Sequence, residues 1–579
     1  MILALNSGIG SAVGLFKAGE PILCLEEERF NRIKNYMGFP EQSLNYILEH
    51  HIEPHEIDYI ALCNNQDSYV TREQFYSSYD HFFKKGSSGF IYDRVLLKKI
   101  IESNFALNHG FNFIKKNKNK NVKRHEIEKL LSLGFQQEKI HLIDHHECHA
   151  ASAYYGLAKN LKDKYLIFTS DGGGDGLTSS VWVGENSKMR RVNCSNCYSL
   201  GNIYSMTTHF LGFKSHEHEY KIMGLAPYSK KEHTEKYVKF FQKFLSLKND
   251  DTVFYNPNIL SHAIFANQLS KTFKNDRFDN IAGGLQLFAE EITKRWVKGN
   301  IKKYGITKIL GSGGTFMNVK INKLISEIPE VKSIDVFPSC GDESNIFGAA
   351  FSVNAKIQKN INLSKLKSYT LGTHISRDLE STLKKFKDRI LIKEVSDINS
   401  FIAEKLSQNK IIARCSGPME FGARALGNRS ILANPNMLQN VGIINRAIKN
   451  RDFWMPFAPM ILDTKVNDYI KLPKSLINTP YMMFACDTVE KNRENMICSI
   501  HQSDFTARPQ IVDEKRYKDI HEILSKFYQI TGIPVLLNTS YNLHGFPIVE
   551  NSNQAVEVFI NTALDFLIID STVICKKMN

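Results

Sequence analysis

A chain of 579 residues cannot be gathered around one hydrophobic core, because single cores stop growing at roughly 250 to 300 residues. At least two domains follow, and the sequence shows where they part. From Gln358 to Ser368 the run QKNINLSKLKS loses its apolar periodicity and turns polar, the pattern of a linker. A boundary near Leu363 predicts domains over residues 1–362 and 363–579.

In the first domain strand-like runs alternate with helical stretches and glycine turns, which predicts an α/β fold. Residues 165–169 (YLIFT) and 177–183 (LTSSVWV) read as strands flanking Ser170-Asp171-Gly172-Gly173-Gly174-Asp175-Gly176. Such a hairpin tip lets backbone amides approach a phosphate, since glycine has no side chain in the way. A second glycine loop, Gly311-Ser312-Gly313-Gly314-Thr315, follows the strand-like ITKIL and leads into an amphipathic run from Phe316 to Ile325. Strand, glycine loop and helix N-terminus together make an anion site, though the same arrangement also serves as a plain structural turn. No internal repeat is legible.

Four residues suggest a metal. His145 and His149, in DHHECHAASA, lie four apart in a helix-compatible stretch and so on one helix face. Two imidazoles held that way can chelate one ion, or merely help the helix pack. Asp171 in the glycine hairpin and Asp342 in SCGDES complete a set suited to Fe(II), Mn(II) or Zn(II), whereas either aspartate alone equally fits a helix cap or turn. In the second domain Arg424 and Arg429 (MEFGARALGNRS) with Lys449 and Arg451 (NRAIKNR) form a candidate phosphate cradle, the alternative being a basic surface helix. The buried-strand pattern Ile533–Leu537 runs into Asn538-Thr539-Ser540-Tyr541-Asn542, short polar side chains at the strand end where open α/β sheets place ligands.

Bulk properties exclude other classes. With 42% hydrophobic and 23% charged residues, neither wholesale disorder nor a membrane bundle is indicated. The opening MILALNSGIGSAVGLF has no basic region ahead of its apolar residues, and no apolar run reaches the roughly 20 residues that span a bilayer. A cytoplasmic protein is expected. The ten cysteines form no framework, and Cys194 and Cys197 lack the second pair of a zinc site. Much of the +14 charge lies in FIKKNKNKNVKR, from Phe113 to Arg124, which reads as a solvated loop. Nucleic acid is therefore not expected as a partner, while phosphate-bearing substrates also suit a positive field.

Taken together the segments resemble the NodU/CmcH carbamoyltransferases. The resemblance runs through EEERFNRIK from Glu26, HHECHAASA from His145, EYKIMGLAPY from Glu219, EFGARALGNRS from Glu420, NRAIKNR and PFAP, DFTARPQ from Asp504, and NTSYN with Pro547-Ile548-Val549. It implies a TsaD-like N-terminal domain with the duplicated actin and sugar-kinase (ASKHA) fold, followed by a YrdC-like α/β domain. It implies that the second domain turns carbamoyl phosphate and ATP with Mg(II) into carbamoyl adenylate, and that the first transfers the carbamoyl group to a hydroxyl or amine of a small-molecule or glycan-like acceptor.

Carried over to this chain, the metal ligands are His145, His149, Asp171 and Asp342, with Fe(II) or another divalent transition metal implied. Gly172, Gly173, Gly174, Gly311, Gly313, Gly314 and Asn318 would hold nucleotide. Lys449, Arg424 and Ser540 would act in activation, with Arg429, Ser430, Arg451, Arg508 and Asn538 binding its substrates. A homodimer is compatible with the resemblance. Two departures stand out: the family's N-x-x-H-D-x-S turn here reads Asn6-Ser7-Gly8-Ile9-Gly10-Ser11-Ala12, and Ala423 replaces a usual proline. His216 and His218 are the candidate substitutes for the missing base. Two rival readings remain at this level: a tRNA-modifying threonylcarbamoyl-type enzyme, and a non-catalytic binding or regulatory homologue.

Overall fold

The computed structural model describes residues 1–65, 77–79, 83, 123–258, 261–357, 366–476 and 478–577. Residues 113–122 of the lysine-asparagine run lie outside these, as do 358–365 with the expected boundary at Leu363. No helix among the described residues is long and apolar enough to cross a membrane. All ten cysteines are free thiols, Cys194 exposed and Cys197 buried.

The N-terminal half is built twice over. Strands β1 (Ile2–Asn6), β2 (Ala12–Lys17), β3 (Glu20–Glu26), β4 (Tyr59–Cys63) and β5 (Ile140–Ile143) form one sheet in the order β3-β2-β1-β4-β5. Strands β6 (Tyr165–Gly174), β7 (Leu177–Glu185), β8 (Lys188–Ser195), β9 (Lys308–Ser312) and β10 (Ser333–Val336) form a second in the order β8-β7-β6-β9-β10. In each, the first three strands are an antiparallel meander and the last two run parallel to the first. This repeated order is the duplicated architecture expected above, although the residues of the two copies share no legible pattern.

Each fifth strand leads to a buried helix: α1 (His145–Leu157) after β5 and, later in the chain, Asn345–Ile357 after β10. Asp144 caps α1 by accepting from Glu147 N at 2.9 Å, and the small residues Ala150, Ala151, Ser152 and Ala153 leave no exposed surface as the two helices pack together.

The C-terminal half is one eight-stranded mixed sheet. Its strands are β11 (Ile390–Glu394), β12 (Ile412–Cys415), β13 (Arg429–Ala433), β14 (Ala458–Leu462), β15 (Gln510–Val512), β16 (Val535–Ser540), β17 (Phe566–Ile569) and β18 (Thr572–Lys576), in the order β11-β18-β17-β12-β13-β16-β14-β15. Its central strands are buried along their whole length, which accounts for apolar runs without alternation.

The halves share a core, with the rings of Phe347 and Tyr369 stacked at 5.7 Å and Phe421 edge-on to both. Polar contacts from the charged run after β3 add to this. Arg29, ion-paired with Glu26 and Glu28, donates to Gly422 O at 2.7 Å, and Gly422 N donates back to Glu26 at 2.9 Å. Arg32 donates to Pro547 O at 2.9 Å and Ile548 O at 2.8 Å. EEERFNRIK is thus the joint between the halves, and Lys34 at its end faces a cavity formed between them.

Candidate functional site

The cavity has a volume of about 870 Å³ and draws its walls from both halves. Its lining includes Asp171, Gly172, Gly314 and Asp342 from the N-terminal half and Arg424, Lys449, Arg451, Arg508 and Ser540 from the C-terminal half.

Asp171 and Asp342 of the first group belong to a four-ligand cluster. One ligand atom from each of His145, His149, Asp171 and Asp342 lies within 4.8 Å of the other three. His149 Nε2 is 3.1 Å from Asp171 Oδ2 and 3.3 Å from Asp342 Oδ1, and His145 Nε2 is 3.6 Å from Asp342 Oδ1. The fold explains the convergence. The histidines occupy the first turns of α1, Asp171 follows the last regularly paired residue of β6, and Asp342 opens the turn before Asn345–Ile357. Gly314 N donates to Asp171 at 3.0 Å, joining the two glycine loops.

These residues fit a divalent cation. His145 Nε2, His149 Nε2 and Asp342 Oδ1 are buried and make no hydrogen bond of acceptable geometry, a costly state for three atoms pointing at one spot unless a cation satisfies them. Burial alone would hold His149 neutral, yet Asp171 and Asp342 outweigh it and raise its pKa to about 9. Positive charge is favoured at this position. Two imidazoles and two carboxylates suit Fe(II), Mn(II) or Zn(II) alike.

The second group is basic. Lys449 Nζ, buried, donates to Ser540 O, to Ser540 Oγ at 3.2 Å, to Asn542 O at 3.1 Å and to Asn542 Oδ1 at 2.7 Å. Burial, then Arg451 and Lys34, hold its pKa well below the usual lysine value. Burial and the neighbouring Arg451 bring Arg424 down to about 10, and burial with Arg424 and Arg451 lowers Arg508. Arg451 lies over the Phe457 ring at 5.1 Å and donates to Thr539 Oγ1 at 3.3 Å. Neither Arg424 nor Arg508 has an ion-pair partner among the described residues. Clustered arginines whose forks are not taken up by ion pairs suit a phosphate-bearing ligand.

Several expected site residues are not brought to the cavity. Arg429 is wholly buried and spends its guanidinium on the carbonyls of Thr373, Ser416, Gly417 and Asn428. Ser430 is buried in β13 opposite Ser540. Asn538 donates to Ala425 O at 2.8 Å and so holds the loop that carries Arg424. Gly174, Gly311 and Gly313 lie behind the wall, while Gly172, Gly173, Gly314 and Asn318 line it. Asn318 also caps the helix Val319–Ser326, accepting from Lys320 N and Ile321 N at 3.2 Å. Gly174 has a different duty: a β-carbon there would fall within 2.5 Å of three atoms of the His145 ring.

Of the two candidate bases the structure separates one from the other. His216 lines the cavity, with Nε2 2.6 Å from Tyr79 OH, and burial lowers its pKa to about 4. His218 does not line it, and its Nδ1 accepts from Lys214 N at 3.1 Å. Where the family pattern has its histidine and aspartate, Ile9 and Gly10 line the cavity. Gly10 has φ +66° and a β-carbon there would sit 2.5 Å from Glu343 N, so this backbone path admits no side chain at that position. Sequence reasoning passed over Lys34 and His544, which line the cavity together with Asn542 of the polar run at the end of β16. Lys34 carried a signal, as the last charge of the quoted run.

Family models bear on this arrangement directly. Residues 7–351 match the carbamoyltransferase N-terminus and residues 403–576 the carbamoyltransferase C-terminus. The chain belongs to the carbamoyltransferase family. The enzyme is 30% identical to an uncharacterised protein of Methanocaldococcus jannaschii, over the whole of both chains. It is 29% identical to nodulation protein NolNO of Sinorhizobium fredii, covering 98% of this chain and 79% of that one. With nodulation protein NolO of Bradyrhizobium diazoefficiens it shares 30% identity over 75% of this chain and 79% of the relative. Among solved structures, HypF in its phosphate- and nucleotide-bound form superposes with a TM-score of 0.36 at 14% identity, covering 63% of this carbamoyltransferase and 56% of HypF. Similarity that slight carries no argument.

Proposed function

We propose that this carbamoyltransferase activates carbamoyl phosphate with ATP at the basic cluster and transfers the carbamoyl group at the four-ligand cluster. The observation that carries the reading is that one cavity is lined by the aspartates of the four-ligand cluster, Asp171 and Asp342, and by the basic cluster. Residues 1–362 are assigned transfer, and residues 363–579, as a YrdC-like domain, activation.

Carbamoyl phosphate is first hydrolysed by one water, which supplies the missing oxygen, to carbamate and inorganic phosphate. The carbamate oxygen then attacks the α-phosphorus of ATP, pyrophosphate leaves, and carbamoyl adenylate forms. Adenylation is needed because carbamate itself is a poor electrophile. Arg424, Arg451 and Arg508 hold the phosphates, and Lys449, fixed by Ser540 and Asn542, places a compact charge where charge develops on the transferring group.

At the four-ligand cluster the acceptor's hydroxyl or amine attacks the carbamoyl carbon, AMP leaves with the C–O bond electrons, and one proton is lost from the acceptor. His216, kept neutral by burial, is the imidazole placed to take that proton, with Tyr79 orienting it. His145, His149, Asp171 and Asp342 would hold the divalent metal, which when bound supplies Lewis-acid polarisation of the carbamoyl oxygen. The glycines at 172, 173 and 314 allow the adenylate's phosphate to approach the backbone closely.

Pyrophosphate release tests the activation half before any acceptor is known. It should require carbamoyl phosphate and ATP together and fail in Lys449→Ala. Release from ATP alone, or undiminished release in the variant, would refute the assignment. For transfer, His216→Ala should slow acceptor-dependent AMP release while His218→Ala does not.

A further inference from the structure

An imidazole ligates a metal through one nitrogen when the other carries its proton, so whatever binds that second nitrogen governs the ligand. His145 Nδ1 lies 2.8 Å from Asn64 Oδ1. Its Nε2 faces Asp342 and makes no hydrogen bond. Asn64 follows the last residue of β4 with φ +70°, in the left-handed region, and its backbone N donates to Ile143 O at 2.9 Å on the neighbouring β5. The carboxamide is thereby fixed beside the start of α1.

The backbone of the same histidine is gripped as well. His145 N donates to Asp175 Oδ2 at 2.8 Å, and Asn65 N reaches both Asp175 oxygens at 2.9 Å. Two consecutive residues after β4 therefore control His145, one through its ring and one through Asp175. His149 has no such support, only a 3.4 Å contact from Nδ1 to Ser312 Oγ.

We propose that Asn64 is a positioning residue that fixes the tautomer and ring plane of His145, so that Nε2 is presented to the metal as a lone pair. The inference rests on the metal reading of the four-ligand cluster. Asn64 must offer its carbonyl oxygen to Nδ1, since an NH2 group there would drive the proton to Nε2 and close the ligand. With the oxygen accepting, Nδ1 keeps the proton and the ring is also made a better donor.

The test titrates metal-free protein with Co(II), following the visible absorption of the bound ion and its affinity. Asn64→Gly removes the acceptor yet suits the left-handed backbone, so its unfolding temperature without metal should stay near that of the wild type. Asn64→Asp keeps an acceptor in a residue type that also tolerates this conformation. Co(II) affinity should fall about 10- to 100-fold in Asn64→Gly and return in Asn64→Asp together with the wild-type spectrum. His145→Ala is the reference. If His145→Ala loses Co(II) but Asn64→Gly binds it as the wild type does, the inference is wrong and the site stands. Equal weakening in both Asn64 variants would also overturn it, because shape rather than the acceptor would then be at work. If wild type and His145→Ala bind Co(II) alike, the metal reading fails and takes the inference with it.

Discussion

Replacing Gly174 with alanine should empty the metal cluster and leave the basic cluster working. The added β-carbon would lie within 2.5 Å of Cγ, Nδ1 and Cδ2 of His145, where ordinary contact begins at 3.4 Å. The ring must retreat by about 1 Å, while metal sites tolerate roughly 0.2 Å in ligand distance. Retreat is also resisted, since Asn64 holds Nδ1 and Asp175 holds the backbone amide. Local overpacking of this kind costs about 1 to 3 kcal/mol, which a protein of this size survives. The expected result is a loss of at least about 10-fold in metal affinity, measured by metal analysis after dialysis against a weak chelator, with pyrophosphate release unchanged. Wild-type metal affinity in Gly174→Ala would show that His145 is not a ligand and would refute this reasoning.

Three other outcomes are expected. Lys449→Ala and Ser540→Ala should each lower the rate of pyrophosphate release by about 100-fold or more, checked by a coupled phosphate assay. Arg429→Met should destabilise by about 3 kcal/mol or more, because it removes the donor to the carbonyls of Ser416, Gly417 and Thr373, whereas Arg508→Ala should cost pyrophosphate release with little change in unfolding temperature. His216 has a folded pKa of about 4 against 6.5 unfolded, so between those values the unfolded chain binds more protons. Stability should therefore be undiminished by this group above pH 6.5 and fall as the pH is lowered from 6.5 toward 4. His216→Gln should flatten that part of the thermal-unfolding profile.

The sequence makes some of this site readable and hides the rest for physical reasons. His145 and His149 are visible because a helix brings residues four apart onto one face, and Asp171 because three glycines follow it. The duplication of the two N-terminal sheets is invisible, since ILALN and YLIFT share only the apolar character that buried strands require, and strand order is fixed by contacts distant in sequence. Arg429 reads like Arg424 in the same motif. Only the fold shows that the carbonyls of Thr373, Ser416 and Gly417 converge on the first while the second lines the cavity with no ion-pair partner among the described residues. Asn538 and Ser540 lie two apart on β16, and burial alone distinguishes the inner residue from the one that reaches the cavity. Asn64 has no motif at all; its role emerges from the parallel pairing of β4 with β5, which sets it beside His145.

Acceptor-independent pyrophosphate release, measured in wild type and in His145→Ala/His149→Ala, tests the division of labour most directly. The account predicts release in both that requires carbamoyl phosphate and ATP together, with metal bound by the wild type only. Loss of release in the double variant while its fold is intact, or metal retained there at wild-type affinity, would contradict the claim that activation and transfer use separate groups of residues around one cavity.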